Sequence, residues 1–162
     1  VGKTWPLERF AQVAIQLLGA GGPMEGGRLM VLGGPEDAHV VQALRHVVLK
    51  DRFISLIGKA DLLTSFACLK RARLFVGNDS GLMHLAAASG APTLGLFGPS
   101  DERHYAPWGR AATLVRGPRS FEQIEVADQG RHQELCHMMD LTVETVVAAA
   151  RQLHSDTEAP HA

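Results

Sequence analysis

Cysteine is scarce, charge of one sign does not predominate, and no apolar stretch is long enough to cross a bilayer. The two cysteines, Cys68 and Cys136, make no disulfide framework and fit a reducing compartment. Lys and Arg number 16 against 17 Asp and Glu, a formal net charge of -1, so nothing suggests a nucleic-acid groove or an anionic membrane surface as partner. The most apolar stretch, residues 82–97, is interrupted by His84, Ser89 and Pro92 and is too short to span a membrane. The chain opens Val1-Gly2-Lys3-Thr4 with no Met and with neither the charged n-region nor the apolar h-region of a signal peptide, which reads as a piece cut from a longer chain. No G-x-G-x-x-G opens the first helix, which counts against a dinucleotide oxidoreductase. No internal repeat is visible.

What is present is an alternation of short apolar runs and amphipathic segments in 162 residues, a length that fits one domain with a sizeable core. Residues 6–20 place Leu7, Phe10, Ala11, Ala14, Leu17 and Leu18 on one helical face, with Pro6 suited to the first turn. Strands are predicted over 28–32, 53–57, 74–76, 93–97 and 113–115, and helices over 36–49, 61–70 and 82–89. Residues 117–138 show no clean period. Thr142 then caps a last helix that buries Val143, Val146, Val147, Ala150 and Leu153. The ordered domain is expected over 1–154, with a disordered tail over 155–162. Strands separated by helices of this length imply an α/β fold, a mostly parallel sheet with helices on both faces.

In such sheets ligands bind beyond the carboxyl ends of the strands, and there the chain places Gly33-Gly34-Pro35-Glu36, Gly77 to Gly81, and Gly98-Pro99-Ser100-Asp101. The middle loop is the most informative. In Gly77-Asn-Asp-Ser-Gly-Leu-Met-His84 a buried strand ends and a small-residue helix begins. Gly77 and Gly81 permit close backbone approach, Asp79 or Ser80 can cap the helix, and the exposed amides with the helix dipole favour a phosphate. The alternative is that tight strand-to-helix turns require Gly, Pro and Asp in any case.

The string from Val76 to Asp101, VGNDSGLMHLAAASGAPTLGLFGPSD, resembles the signature of glycosyltransferase family 9, the lipopolysaccharide heptosyltransferases. The likeness extends to Gly2-Lys3-Thr4-Trp5-Pro6, to Gly33-Gly34-Pro35-Glu36 and, more loosely, to residues 136–147. It implies the C-terminal half of a GT-B fold, a Rossmann-like three-layer α/β/α unit that binds a nucleotide sugar, usually ADP-heptose, with the N-terminal acceptor domain absent. It further implies that Lys3, beside Thr4, and the amides of Ser80 and Gly81 contact the donor phosphates, and that Asp79 accepts hydrogen bonds from sugar hydroxyls. The other reading of Asp79 is as helix N-cap. His84, one turn in, reaches phosphate or sugar, or is a packed or solvated residue. Glu36 fits the ribose hydroxyls or, with Asp37, the first-turn dipole. Leu62 to Thr64 match the adenine slot, or belong to the core. The resemblance implies no cofactor and no metal, a lipopolysaccharide core acceptor, and a cytoplasmic place at the inner-membrane face of a Gram-negative bacterium. The Gly-rich loop expected before Lys3 is missing apart from Gly2, and no carboxylate here matches the family's catalytic base, so the chain alone is expected to be inactive as a transferase.

Other patterns are less specific. Gly2-Lys3-Thr4 imitates the end of a P-loop, but Trp5-Pro6 suits a helix start rather than its continuation. His132, Cys136 and His137 lack a second ligand pair for zinc. Arg103, Tyr105 and Trp108 belong to a cleft rim or pack on their own domain; Arg116 and Arg119 screen a diphosphate or face solvent. Two classes of function remain, the donor half of an inverting glycosyltransferase, acting on heptose or another sugar, and a stand-alone nucleotide-binding module on the same fold.

Overall fold

The structure is a computed structural model that describes residues 2–128 and 135–158. Its element order is α1 (Leu7–Leu18), β1 (Leu29–Val31), α2 (Ala38–Leu44), β2 (Phe53–Ser55), α3 (Leu62–Leu69), β3 (Phe75–Asn78), α4 (Gly81–Ser89), β4 (Thr93–Phe97), α5 (Glu102–Tyr105), β5 (Ala112–Arg116), α6 (Phe121–Ala127) and α7 (Val143–Glu158). Single 3-10 turns, Pro35–Asp37 and Lys50–Arg52, precede α2 and β2. Every strand pairing is parallel, in two ladders: β1 with β2, and β3-β4-β5 with β4 in the middle.

All five residues of β4 are buried. That accounts for its uninterrupted Thr-Leu-Gly-Leu-Phe run, since a central parallel strand faces packed elements on both sides. Gly95 carries the consequence for α4. A Cβ there would stand 2.5 Å from Met83 Sδ and 3.0 Å from Phe97, and both side chains are fully buried, so the helix that opens the candidate site sits close against β4. Ser80 caps α4 by accepting from the Met83 amide at 3.4 Å, and Gly90, at φ +84°, ends it in the left-handed conformation.

The larger core cluster joins Trp5, Val13 and Leu17 to Leu94 and Leu96 of β4, to Met138 and Leu141, and to the inner face of α7. A smaller one gathers Val31, Leu44 and Ile57. Phe10 packs against both, so α1 ties the two ladders together through side chains. Among the described residues, no helix is long and apolar enough to cross a membrane.

Two expectations are corrected, and a segment without a predicted element gains one. The helix expected over 36–49 is shorter, a 3-10 turn followed by α2, which ends at Leu44. Residues 117–138, in which no period is visible, hold α6, opened by a capping box between Ser120 and Gln123. Residues 155–158, expected in a disordered tail, continue α7 through Glu158: Gln152 Nε2 donates to Asp156 Oδ1 at 2.7 Å, Thr157 Oγ1 donates to the Leu153 carbonyl at 2.9 Å, and Arg73 pairs with Glu158 at 2.8 Å. Residues 159–162 lie outside the described residues.

Candidate functional site

The site grows from the register of β3 and β4. Asn78 lies opposite Leu96, and the Asp79 amide donates to the Leu96 carbonyl at 3.2 Å. The two strands therefore release their following loops side by side. From the β4 side, Ser100 Oγ donates to Asp79 Oδ2 at 2.5 Å; from the chain's beginning, Lys3 Nζ reaches the same oxygen at 3.2 Å. The Asp79 side chain is only 8% exposed and that of Lys3 58%. Lys3 also lies 5.7 Å from the centre of the Tyr105 ring, within cation–π range.

Lys3 is placed by its neighbours rather than by its own contacts. The Trp5 amide donates to Asn78 Oδ1 at 3.0 Å and the Trp5 indole to the Leu141 carbonyl at 2.9 Å. The Gly2 carbonyl accepts from the His137 amide at 3.3 Å, and the Thr4 carbonyl from Cys136 Sγ at 3.3 Å. The lysine thus stands on a short stretch braced from both sides, with its ammonium toward solvent. The lysine end of the pair is exposed and the carboxylate end buried, so the ammonium can turn to an incoming polyanion while Asp79 keeps its hydrogen bond from Ser100.

Ser80, and not Asp79, is the helix N-cap. Gly81 opens α4; an added Cβ would meet nothing within 4 Å, and the first amides of a helix have no intrahelical acceptor. His84 is exposed on the next turn. Glu36 lies with Asp37 in the first turn after β1; Asp37 Oδ2 accepts from the Gly34 amide at 3.0 Å, and Glu36 is exposed. Leu62 is 67% exposed at the start of α3, so the core alternative for it is excluded. The structure thus brings Lys3 and Asp79 into direct contact, sets Ser80, Gly81 and His84 next to Asp79 along α4, and joins neither Glu36 nor Leu62 to the cluster by a hydrogen bond or ion pair among the described residues.

The arginines left open by the sequence have structural partners. Arg103 donates twice to Asp101, at 2.9 Å each, and pairs with Glu122 at 3.0 Å. Its hydrogen bonds hold the Asp101 carboxyl well below the usual carboxylate range. Arg116 donates to the Gly98 and Ser100 carbonyls at 2.7 Å each and to Glu102 at 2.5 Å. Arg119 binds Asp140 at 2.5 Å and the His137 carbonyl at 3.1 Å. Trp108 is exposed. His137 pairs with Asp128 at 2.7 Å; His132, grouped with it in the sequence, lies outside the described residues. Among the described residues no group of three or more His, Cys, Asp or Glu could hold a metal ion. Sequence reasoning missed Ser100 as a partner of Asp79. The signal was the parallel register itself, since residues just past adjacent parallel strands are neighbours.

A strand-to-helix turn beside a lysine, on a parallel α/β unit, is an arrangement that can receive an anion. Comparison with solved structures narrows the class to the GT-B transferases, on their C-terminal half. The structure of E. coli ADP-heptose lps heptosyltransferase II matches 98% of this chain and 44% of its own length, at 25% identity and a TM-score of 0.76. The glycosyl transferase family 9 protein from Veillonella parvula matches 96% and 43%, at 28% identity and a TM-score of 0.75. By sequence, the lipooligosaccharide heptosyltransferase 2 of Haemophilus influenzae is 29% identical over 158 residues, which are 93% of this chain and 43% of that protein. The chain thus spans less than half the length of these relatives. The family description "Glycosyltransferase family 9 (heptosyltransferase)" matches residues 1–135, and the chain belongs to this family.

Proposed function

We propose that the chain is the donor-binding half of an inverting glycosyltransferase that moves a heptose, or a related sugar, from ADP-heptose to the lipopolysaccharide inner core. The observation that carries this reading is the meeting of Lys3, 76 positions away in sequence, with Asp79 at the mouth of α4; the family membership and the ADP-heptose named for a structural neighbour support it.

In this reading Lys3 leaves Asp79 for the donor diphosphate, which also meets the amides at the start of α4. As the bond from the anomeric carbon to the diphosphate breaks, negative charge grows on the leaving phosphate oxygen, and preformed donors of this kind stabilise it without a metal. Asp79, released from Lys3, accepts from sugar hydroxyls. His84 faces the phosphates or sugar, Thr4 flanks Lys3, Glu36 takes the ribose hydroxyls, and the exposed Leu62 covers the adenine. The base that deprotonates the attacking acceptor hydroxyl belongs to the family's acceptor domain, so the chain alone binds donor and does not transfer it. Catalysis in the cytoplasm at the inner-membrane face follows from the same assignment.

Calorimetric titration with ADP, and with UDP and NAD for comparison, tests the reading. Saturable binding that prefers ADP and weakens roughly tenfold or more in Lys3→Ala is expected, the loss of one charge-assisted phosphate contact. A preference for NAD, or binding indifferent to Lys3, refutes it.

A further inference from the structure

Asp79 presents an asymmetric carboxylate. Both of its side-chain partners, Lys3 and Ser100, take Oδ2, and among the described residues Oδ1 accepts no hydrogen bond. The Ser100 bond, at 2.5 Å, is in the range of charge-assisted O–H···O⁻ contacts, and Ser100 is itself 4% exposed. Lys3 is free to leave, as its exposure shows; Ser100 is not. One oxygen is therefore held from behind while the other stays available.

Ser100 is fixed in turn. Arg116, the last residue of β5 and opposite Phe97 in register, turns its guanidinium over the loop that follows β4. It takes two carbonyls of that loop, Gly98 and Ser100, and the Glu102 carboxylate at the start of α5. Its side chain is 11% exposed and, among the described residues, its Nε is buried without a partner; the acceptors taken by its two terminal nitrogens offset the burial of the charge. The loop is confined from the other side as well, since a Cβ on Gly98 would stand 2.5 Å from Met138 Cγ. A guanidinium spans separate acceptors in fixed geometry; an ammonium on a lysine stem does not.

We propose that Ser100 and Arg116 are positioning residues that fix the orientation of the Asp79 carboxylate, so that Oδ1 reads the hydroxyls of the donor's sugar, independently of the nucleotide. The inference rests on the donor-site reading above and adds to it a division of labour. Lys3 and the α4 amides hold the diphosphate, while the Arg116–Ser100–Asp79 chain discriminates the sugar. When the diphosphate draws Lys3 away, Ser100 is the donor that keeps Asp79 in place.

The test is calorimetry on the full chain with two probes, ADP-heptose and ADP. Ser100→Ala and Arg116→Lys are each expected to weaken ADP-heptose roughly tenfold, one charged hydrogen bond's worth, while ADP stays within about twofold. In an Asp79→Ala background Ser100→Ala is expected to add nothing, because the two act as one unit. Equal weakening of both probes overturns the inference and gives the loop a merely structural role, as does an unchanged affinity for both or a Ser100→Ala effect that persists without Asp79. If the unsubstituted chain binds neither probe, the donor-site reading fails and takes this inference with it, a pattern none of the other outcomes produces. Urea unfolding of each variant separates lost recognition from lost folding: Ser100→Ala is expected to lower the midpoint, as loss of a buried hydrogen bond to a carboxylate does, while the transition stays cooperative and the chain stays folded under the titration conditions.

Discussion

Replacing Trp5 by Phe tests whether the stretch that carries Lys3 is held by the core. Trp5 is fully buried, its ring packs edge-on against Phe10 with centroids 5.1 Å apart, and its indole N–H donates to the Leu141 carbonyl at 2.9 Å. Phe keeps a ring against Phe10 but loses the N–H and part of the volume. The lost hydrogen bond costs about 1 kcal/mol rather than more, because the Leu141 carbonyl still accepts from Arg9 Nη1 at 2.6 Å. The smaller ring leaves a gap among close-packed neighbours, worth roughly 1 to 2 kcal/mol. The sum of about 2 to 3 kcal/mol corresponds to a fall in Tm of about 5 to 10 °C for a chain of this size. Calorimetric or circular-dichroism melting reads it directly. Adding Arg9→Ala removes the second donor and is expected to cost more than the two single changes together, since one acceptor is shared. Well below either melting temperature, ADP affinity is expected to be unchanged in Trp5→Phe, because the backbone bond from Trp5 to Asn78 is retained. A melting temperature within about 2 °C of the parent chain would refute the reasoning.

Two other perturbations separate folding from binding. Gly81→Ala meets nothing within 4 Å, so stability to urea is expected to rise by about 0.4 to 1 kcal/mol, while a methyl at the α4 entrance lowers ADP affinity in isothermal titration; unaltered affinity would move the phosphates elsewhere. The Asp140 carboxyl is raised by burial, but the hydrogen bond and charge of Arg119 outweigh this and leave it below its ordinary value. A depressed carboxyl contributes stability above the unfolded-state pKa of about 4 and loses it as pH falls through the lower folded value. Urea midpoints followed from about pH 6 to about pH 2 are therefore expected to fall less steeply in Asp140→Asn than in the parent.

Some elements were legible because several local signals agree. β4 combines an unbroken apolar run with Pro92 before it and Gly98 after it, and its expected span, 93–97, is the one observed. α4 has Ser80 at one end and Gly90 at the other. α6 was not legible although its Ser-x-x-Gln capping signal is present, because its seven residues bury only Ile124 and give no visible period. α2 was overextended because Val47 and Val48 continue the apolar rhythm after the helix has ended at Leu44. Within the site, the resemblance named Lys3 and Asp79 separately, but nothing local to either indicates their contact or the hold of Ser100 on Asp79. Both contacts arise from long-range closure, which propensity and spacing do not encode.

That closure also orders events in time. The Trp5 indole and the Leu141 carbonyl are 136 positions apart, and Gly2 and Thr4 are braced by residues 136 and 137. Contacts of such separation form only after the intervening chain has become compact. The lysine can therefore be in place only in molecules whose two ends have already met. A nucleotide that needs it would bind finished molecules in preference to partly folded ones and would stabilise them by mass action. Amide exchange around Trp5 should then slow on adding ADP in step with the most protected core strands, making the proposed donor a gauge of completed folding.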